Sequence, residues 1–142
     1  MSLAASISKV SRSLVDGREP TERLDFDFAE CRVRLETNSA DLARKLARYY
    51  RDFLARDVAP DITVTAIEAP EPKVSLPLNE KHPEPGKRKV KEEFIDLEDG
   101  RLIRKRLTGL VFLIGRGGGS HLAVGPCAAN DNQIVNFINN RY

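Results

Sequence analysis

The only glycine-rich segment, Gly115-Arg116-Gly117-Gly118-Gly119-Ser120, is the first candidate for a site that could hold phosphate. A phosphate-binding P-loop has the pattern GxxxxGK[ST] between a strand and a helix, so that backbone N–H groups and a lysine meet the phosphates. Here Ser120 stands at the place of the second glycine, His121 at that of the lysine, and a strand is predicted to follow. A dinucleotide fingerprint fails in the same way, since its last glycine is also Ser120. We therefore predict a flexible hairpin connection that holds no cofactor.

Other side chains with the chemistry for acid–base, nucleophilic or metal-binding roles are few and scattered. They are two cysteines, two histidines and two pairs of adjacent acids: Cys31, Cys127, His82, His121, Glu92-Glu93 and Glu98-Asp99. The cysteines lack a CxxC partner or a nucleophile's sequence context, and we expect reduced, buried thiols. Neither histidine has a second ligand at metal spacing. The acids are interpreted as charged strand and turn residues, because adjacency alone does not make an acid/base pair. No catalytic, cofactor-binding or metal-binding residue is predicted.

A first candidate interaction surface is the amide face of the last predicted helix, NDNQIVNFINNRY. Asn130 is its predicted N-cap, with Gln133 closing a capping-box pair. Its apolar side holds Ile134, Val135, Phe137, Ile138 and Tyr142, and its opposite side holds Asn132, Gln133, Asn136, Asn139 and Asn140. Amides form neutral, directional hydrogen bonds, so this face could meet a partner, lie near a nucleotide or sense a small molecule. The simpler alternative is that the amides tie down neighbouring strands and loops.

A second candidate surface is a basic helix face formed by Arg44, Arg48 and Arg51. Asn38 is the predicted N-cap of this helix. Its other side carries the apolar residues Leu42, Leu46, Tyr49, Tyr50, Phe53 and Leu54. The arginines could bind phosphate or an acidic partner, or they could be a solvated face paired with neighbouring carboxylates.

The composition favours one globular domain. The chain has 142 residues, of which 41% are hydrophobic and 31% are charged, and its formal net charge is only +2. This balance argues against a surface built for nucleic acid, and the basic run at 87–91 lacks the interleaved aromatic residues that stack on bases. No apolar run approaches the ~20 residues that span a bilayer, and the first residues do not resemble a signal peptide. We therefore expect a soluble, cytoplasmic protein with no membrane partner.

Hydrophobic periodicity predicts an α+β fold, with a mostly antiparallel sheet of about five to seven strands and helices packed on one side. Alternation in LDFDFAECRVRLET predicts a hairpin that pairs Phe28 with Cys31, Phe26 with Val33 and Leu24 with Leu35, and that sets Asp25 and Asp27 opposite Arg34 and Arg32. Strands are also predicted in ITVTAIEA, TGLVFLIG and HLAVG. Asp99-Gly100 predicts the turn of another hairpin, whose register stays open between Leu97 opposite Leu102 and Ile95 opposite Ile103.

The predicted organisation has two parts. Leu3, Ile7, Val10 and Leu14 form one helical stripe, so residues 1–20 are predicted to be an N-terminal helical flap. Residues 21–142 are predicted to be a single α+β domain, interrupted by a proline-rich charged loop at 69–89. The chain stops inside its last predicted helix without a glycine cap, as a shortened protein would.

Two stretches resemble a known family. LIRKRLTGLVFLIGRGGGSHLAVGPCAANDNQIVNFINNRY is similar to the stretch just ahead of the nucleotide-binding core in HPr kinase-related kinases of subgroup B. FDFAECRVRLETNSADLARKLARYYRDF is similar to their strand–strand–helix opening. The most specific part of the resemblance is GPCAANDNQIVNFINNRY.

The resemblance implies an ATP-dependent P-loop phosphotransferase whose full-length form uses ATP and Mg²⁺ and acts on a protein substrate. In that family the P-loop follows the asparagine-rich helix, and the present sequence ends before it. The resemblance therefore implies an N-terminal portion, inactive alone, that positions or regulates a downstream kinase domain of the same polypeptide. The alternative is a freestanding module that binds an acidic protein or nucleic acid through the basic helix face.

Overall fold

The computed structural model describes residues 2–3, 6–83, 85–117 and 119–141. Its helices are α1 (Ile7–Val15), α2 (Ala40–Tyr49) and α3 (Asp131–Asn139). Its strands are β1 (Ser2–Leu3), β2 (Glu22–Asp27), β3 (Arg32–Thr37), β4 (Leu54–Ala55), β5 (Ile62–Glu68), β6 (Asn79–Glu80), β7 (Glu92–Leu97), β8 (Gly100–Lys105), β9 (Val111–Gly115) and β10 (Ser120–Gly125). The α+β class is confirmed. The sheet has more strands than the predicted five to seven, because the two-residue strands β1, β4 and β6 add to it.

All ten strands belong to one sheet. Nine follow the order β1-β7-β8-β9-β10-β5-β3-β2-β4, and β6 pairs with β7. Most neighbours are antiparallel, as predicted, with parallel pairing between β1 and β7, β3 and β5, and β5 and β10. The last two parallel contacts join the meander β7 to β10 to the hairpin of β2 and β3. The apolar strand β9 lies inside the sheet, as its sequence indicates.

The β2–β3 hairpin has the predicted register. Leu24 lies opposite Leu35 and Phe26 opposite Val33, while Asp25 and Asp27 lie opposite Arg34 and Arg32. The turn contains Ala29 with a positive φ of 71°, a conformation that residues other than glycine rarely adopt. The Asp27 carboxylate accepts a hydrogen bond from the Ala29 N–H at 2.8 Å. This local contact compensates for poor turn residues.

The sheet is covered on both faces, so the prediction of helices on one side is wrong. We call the face under α2 and α3 the helix-pair face; its buried side chains include Phe26, Leu35 and Phe112. We call the opposite face the flap face; there Leu113 and Leu122 are buried with Leu14 of α1. Period-two alternation in the central strands carries apolar residues on both sides, and each side needs its own cover.

The N-terminal segment and the proline-rich loop share the flap face. Ile7, Val10 and Val15 of α1 are partly buried there, together with Val74, Leu76 and Leu78 from the loop predicted at 69–89. Leu3, predicted on the α1 stripe, lies instead in β1, which pairs with β7. Met1, Ala4 and Ala5 of the predicted flap and Glu84 of the loop lie outside the described residues.

The β7–β8 hairpin has neither of the two registers left open by the sequence. Ile95 lies opposite Leu102 and Leu97 opposite Gly100, so Glu98 and Asp99 form the turn and Gly100 begins a strand. A Cβ at Gly100 would overlap the carbonyl oxygen of Ile114 and the side chain of Ile7. Gly100 is therefore required for close packing, and the turn moves one residue towards the N-terminus. Over the described part of the chain, no helix is long and apolar enough to cross a bilayer.

Candidate functional site

The amide-rich helix α3 begins after Asn130, at the predicted position but without the predicted capping box. The Asn130 side chain donates to the Pro126 carbonyl at 2.8 Å and makes no capping hydrogen bond. The side-chain oxygen of Gln133 lies 3.0 Å from the Thr108 hydroxyl, which donates to it. Thr108, in the loop between β8 and β9, is thus the hydrogen-bond partner of Gln133 in place of the predicted capping contact with Asn130.

The apolar side of α3 packs as predicted. Ile134 and Ile138 are fully buried, and the Phe137 ring lies 4.5 Å from the Phe112 ring of β9. Tyr142, predicted on the same side, lies outside the described residues. These contacts fix the orientation of α3 and direct its polar side outward.

The five amides of α3 divide into two groups. Gln133 bonds to Thr108, and the side-chain oxygen (Oδ1) of Asn139 accepts a hydrogen bond from the Tyr50 hydroxyl at 2.7 Å. These two amides tie down neighbouring elements, as the simpler interpretation expects. The other three, which we call the amide row, are exposed and make no side-chain hydrogen bond to any described residue. The amide row consists of Asn132, Asn136 and Asn140.

A groove lies beside α3 because α2 and α3 cover only part of the helix-pair face. It has a volume of about 280 Å³ and lies between Asn136 of α3, Asn140 at the C-cap of α3 and the strands β7 to β9. Its floor contains Ile103, Phe112 and Ile114. An apolar floor beside hydrogen-bonding amides is an arrangement that can receive another molecule.

Arg141 lies at one end of this groove. Its guanidinium lies 4.9 Å from the centre of the Phe137 ring, and its Nε donates to the Phe137 carbonyl at 3.3 Å. Burial lowers the pKa of Arg141, and no described carboxylate forms an ion pair with it. Burial and the nearby charge of Arg141 also lower the pKa of His121. The groove therefore has a positive end without a neutralising partner.

The other end of the groove is neutralised by an ion pair. Lys105 donates to Glu92, and Lys81 lies 3.4 Å from the same carboxylate. Burial alone would raise the pKa of Glu92, but the hydrogen bonds and charges of Lys105 and Lys81 outweigh it and lower that pKa. This pair joins β7 to β8 and closes that end of the groove.

Helix α2, which carries the basic helix face, has a different N-cap from the predicted one. The N-cap of α2 is Ser39, whose hydroxyl accepts from the Leu42 N–H at 3.1 Å. The predicted cap Asn38 instead pairs with the backbone of Glu68 in both directions, at 3.1 and 2.6 Å. The predicted N-cap lies one residue before the observed one, because Asn38 instead forms hydrogen bonds with the backbone of β5. No local sequence pattern indicates this contact.

The three predicted arginines differ in their partners. Arg44 forms an ion pair with Asp41. Arg48 and Arg51 are exposed and form no ion pair with a described residue. The interpretation that the arginines pair with neighbouring carboxylates is therefore correct for Arg44. Arg48 and Arg51 could still bind a partner.

The glycine-rich segment joins β9 to β10 as an antiparallel hairpin, as predicted, and no helix follows it. The Nδ1 atom of His121 accepts a hydrogen bond from the Gly115 N–H at 3.2 Å. Gly118 lies outside the described residues. The described part of this segment is thus followed by neither the helix N-terminus nor the lysine that hold phosphate in a P-loop.

Both cysteines are free, with Cys31 half-buried and Cys127 buried. Burial, together with the charge of Glu68, raises the pKa of the Cys127 thiol to about 12, so the thiol is inert near neutral pH. The described residues contain no cluster of His, Cys, Asp or Glu that could hold a metal ion.

Sequence reasoning missed two features. The groove forms because α3 stops short of β7 and β8, a consequence of strand order that no local pattern reveals. Tyr49, Phe53 and Leu54, placed on the apolar side of α2, are exposed. At the tyrosine-rich end of α2 the predicted apolar stripe was wider than the face that one helix can bury. This width weakly indicated that some of its side chains would be exposed.

No protein-family model, curated protein or solved structure matches this chain.

Proposed function

We propose that this chain is a non-catalytic domain of an HPr kinase-related, ATP-dependent P-loop kinase. In this proposal it positions or regulates a kinase core that lies outside residues 1–142. ATP and Mg²⁺ belong to that core, and its substrate is a protein. The basis for the family is the resemblance of GPCAANDNQIVNFINNRY, the segment that forms the end of β10 and helix α3.

The observation that carries the proposal is the amide row. Asn132, Asn136 and Asn140 recur every four residues, so they form one line along α3. Neutral amides lose less free energy than charged groups when an interface excludes water, provided that they gain hydrogen bonds. The groove beside them adds the apolar surface of Ile103 and Ile114. Together these groups suit the docking of a neighbouring protein domain.

The first test is the reading frame beyond the Tyr142 codon. We expect it to encode a strand followed by GxxxxGK[ST] within the same polypeptide. A stop codon directly after Tyr142 would overturn the proposal. The 142-residue chain alone, incubated with MgATP, should show no turnover above buffer, and turnover would contradict its non-catalytic role.

The second test concerns the amide row in the longer protein. Replacing Asn136 and Asn140 by Lys adds positive charge beside Arg141 in the proposed interface, and a buried charge without a partner typically costs more than about 1–3 kcal/mol. We expect phosphotransfer kcat/KM to fall at least ~10-fold. The matched control is Asn79→Lys in the exposed strand β6, which should leave the rate unchanged. Equal rates for all three proteins would remove α3 from the interface.

A further inference from the structure

An aromatic cluster connects the core to the surface at the end of α2. The ring of buried Phe26 lies 4.7 Å from that of Tyr50, and Phe28 lies 5.5 Å from Tyr50. Phe53 then lies 5.1 Å from Phe28, and Tyr49 lies 4.8 Å from Tyr50. The inner rings are fixed by the core, so the two outer rings are held on a rigid base.

The outer members of this cluster are exposed for a structural reason. Helix α2 ends at Tyr49, and a 3₁₀ turn at Arg51–Phe53 leads directly into β4, where Leu54 pairs with Phe26 of β2. The chain therefore leaves the helical path before Phe53 and Leu54 can face the core. Tyr49 is 62% exposed, Phe53 46% and Leu54 45%. Adjacent exposed apolar side chains commonly mark an interaction surface.

Basic residues flank and separate these apolar side chains along residues 48–56. Arg48, Arg51 and Arg56 are exposed and form no ion pair with a described residue. Two acids close to these arginines in the sequence already have partners, since Asp41 binds Arg44 and Lys45, and Asp57 lies 3.8 Å from Arg23. Between Arg48 and Arg56 the sequence contains one acid, Asp52. We call this surface the α2-end patch: Arg48, Tyr49, Arg51, Phe53, Leu54 and Arg56.

We propose that the α2-end patch docks an acidic segment of a partner protein that carries an aromatic or aliphatic anchor residue. Tyrosine and arginine are the residue types enriched among those that dominate binding energy at protein interfaces. The charge of the patch requires acidic residues in the partner, and its rings and Leu54 offer a contact for an apolar side chain. The proposal stands on different residues from those of the proposed function and does not depend on it.

A protein segment fits this surface better than a nucleic acid. Asp52 lies between Arg51 and Phe53, where it would repel a phosphate backbone that follows the arginines. Single-stranded nucleic acids are bound along grooves with a continuous basic track, and the net charge of the chain is only +2. An acidic peptide can place its carboxylates on the arginines and avoid Asp52.

The test uses the full chain and a random peptide library displayed on phage. The library is selected on the wild type and counter-selected on the variant Arg48→Glu/Arg51→Glu. We expect enriched peptides with net negative charge and at least one aromatic or aliphatic residue. Failure to enrich any peptide, or enrichment without acidic bias, would overturn the proposal.

The best enriched peptide is then measured by fluorescence anisotropy. We expect affinity to fall at least ~10-fold for Tyr49→Ser/Phe53→Ser and for Arg48→Glu/Arg51→Glu, and to weaken as salt rises. Leu107→Ser and Arg88→Glu are the matched controls, because both are exposed outside the patch, Leu107 at 86%. Equal losses in the controls would contradict the site, as would a thymidine oligonucleotide that outcompetes the peptide. Circular dichroism verifies that each variant is folded.

Discussion

At the scale of single residues, ion pairs across neighbouring strands hold most of the partly buried charges in the sheet. Arg34 donates to Asp25 at 2.9 Å, and burial of Asp25 makes this the best-shielded pair of the β2–β3 hairpin. On β7 and β8, Glu92 is held by Lys105, and Glu93 by Arg104 at 3.2 Å. Opposite charges directly across an antiparallel pair stabilise that register over a shifted one.

Glu92 predicts a pH dependence of stability. Its pKa in the folded protein lies below the ordinary value of 4.5, so ionised Glu92 stabilises the fold above that pH. This contribution is lost as the pH falls through the lowered pKa. We expect Glu92→Gln to lower the unfolding free energy by up to about 1 kcal/mol at pH 7. At low enough pH the two proteins should converge.

Urea unfolding at neutral and acidic pH measures this difference. Glu98→Gln is the control, because Glu98 is exposed and has no ion pair with a described residue. A Glu92→Gln effect that stays constant through the acidic range would show that packing, and not charge, is responsible.

At the scale of elements, the hairpin of β7 and β8 depends on close contact with its neighbours. Gly100 lies in the first position of β8, opposite Gly115 of β9, with Ile7 of α1 against it. The Asp99 carboxylate accepts a hydrogen bond from the Ile7 N–H at 2.7 Å, which fixes the start of α1 above the turn. The turn at Asp99, strand β8 and helix α1 therefore hold one another in position.

Replacing Gly100 by Ala tests this contact. The added methyl would overlap the backbone oxygen of Ile114, which cannot move without disturbing β9, and overpacking of this kind costs typically 1–3 kcal/mol, here about 3. The contrast is Gly86→Ala, where φ is +82° and the surrounding space is open, so only backbone strain of about 1 kcal/mol applies. Thermal unfolding of both variants checks the order, and a Gly86 variant as unstable as the Gly100 variant would refute it.

At the scale of the whole molecule, the sheet is stable only if both faces are covered. The helix-pair face has α2 and α3, whereas the flap face depends on α1 and the chain from Ala69 to Leu78. Arg104 reaches this loop through Glu71 at 3.0 Å. The flap is therefore expected to unfold together with the sheet and not before it.

Replacing Leu14 by Ala tests this cooperativity. Leu14 is buried in the same apolar cluster as Leu122 and Val124, so its truncation should lower the unfolding free energy by about 2–3 kcal/mol. Leu107→Ala, at 86% exposure, should change it by less than about 0.5 kcal/mol. Urea unfolding followed by circular dichroism gives both values. A near-zero effect of Leu14→Ala would mean that α1 is dispensable to the sheet.

Part of the fold could be predicted because local patterns decided it. The β2–β3 register follows from agreement of apolar and charged faces over six residue pairs. Buried Ile134, Val135, Phe137 and Ile138 follow from helical periodicity. The α2 cap and the β7–β8 turn were each displaced by one residue, because Asn38 binds β5 and Gly100 packs under Ile7.

The sequence by itself determined the three helices and the seven longer strands, and which side of α3 carries amides, because these depend on neighbours a few residues apart. Only the tertiary structure decided that the sheet is covered on two faces, that three of the five amides stay unbonded within the described chain, and that Tyr49 and Phe53 face solvent. Those outcomes depend on strand order and on where α2 ends, and contacts distant in sequence set both.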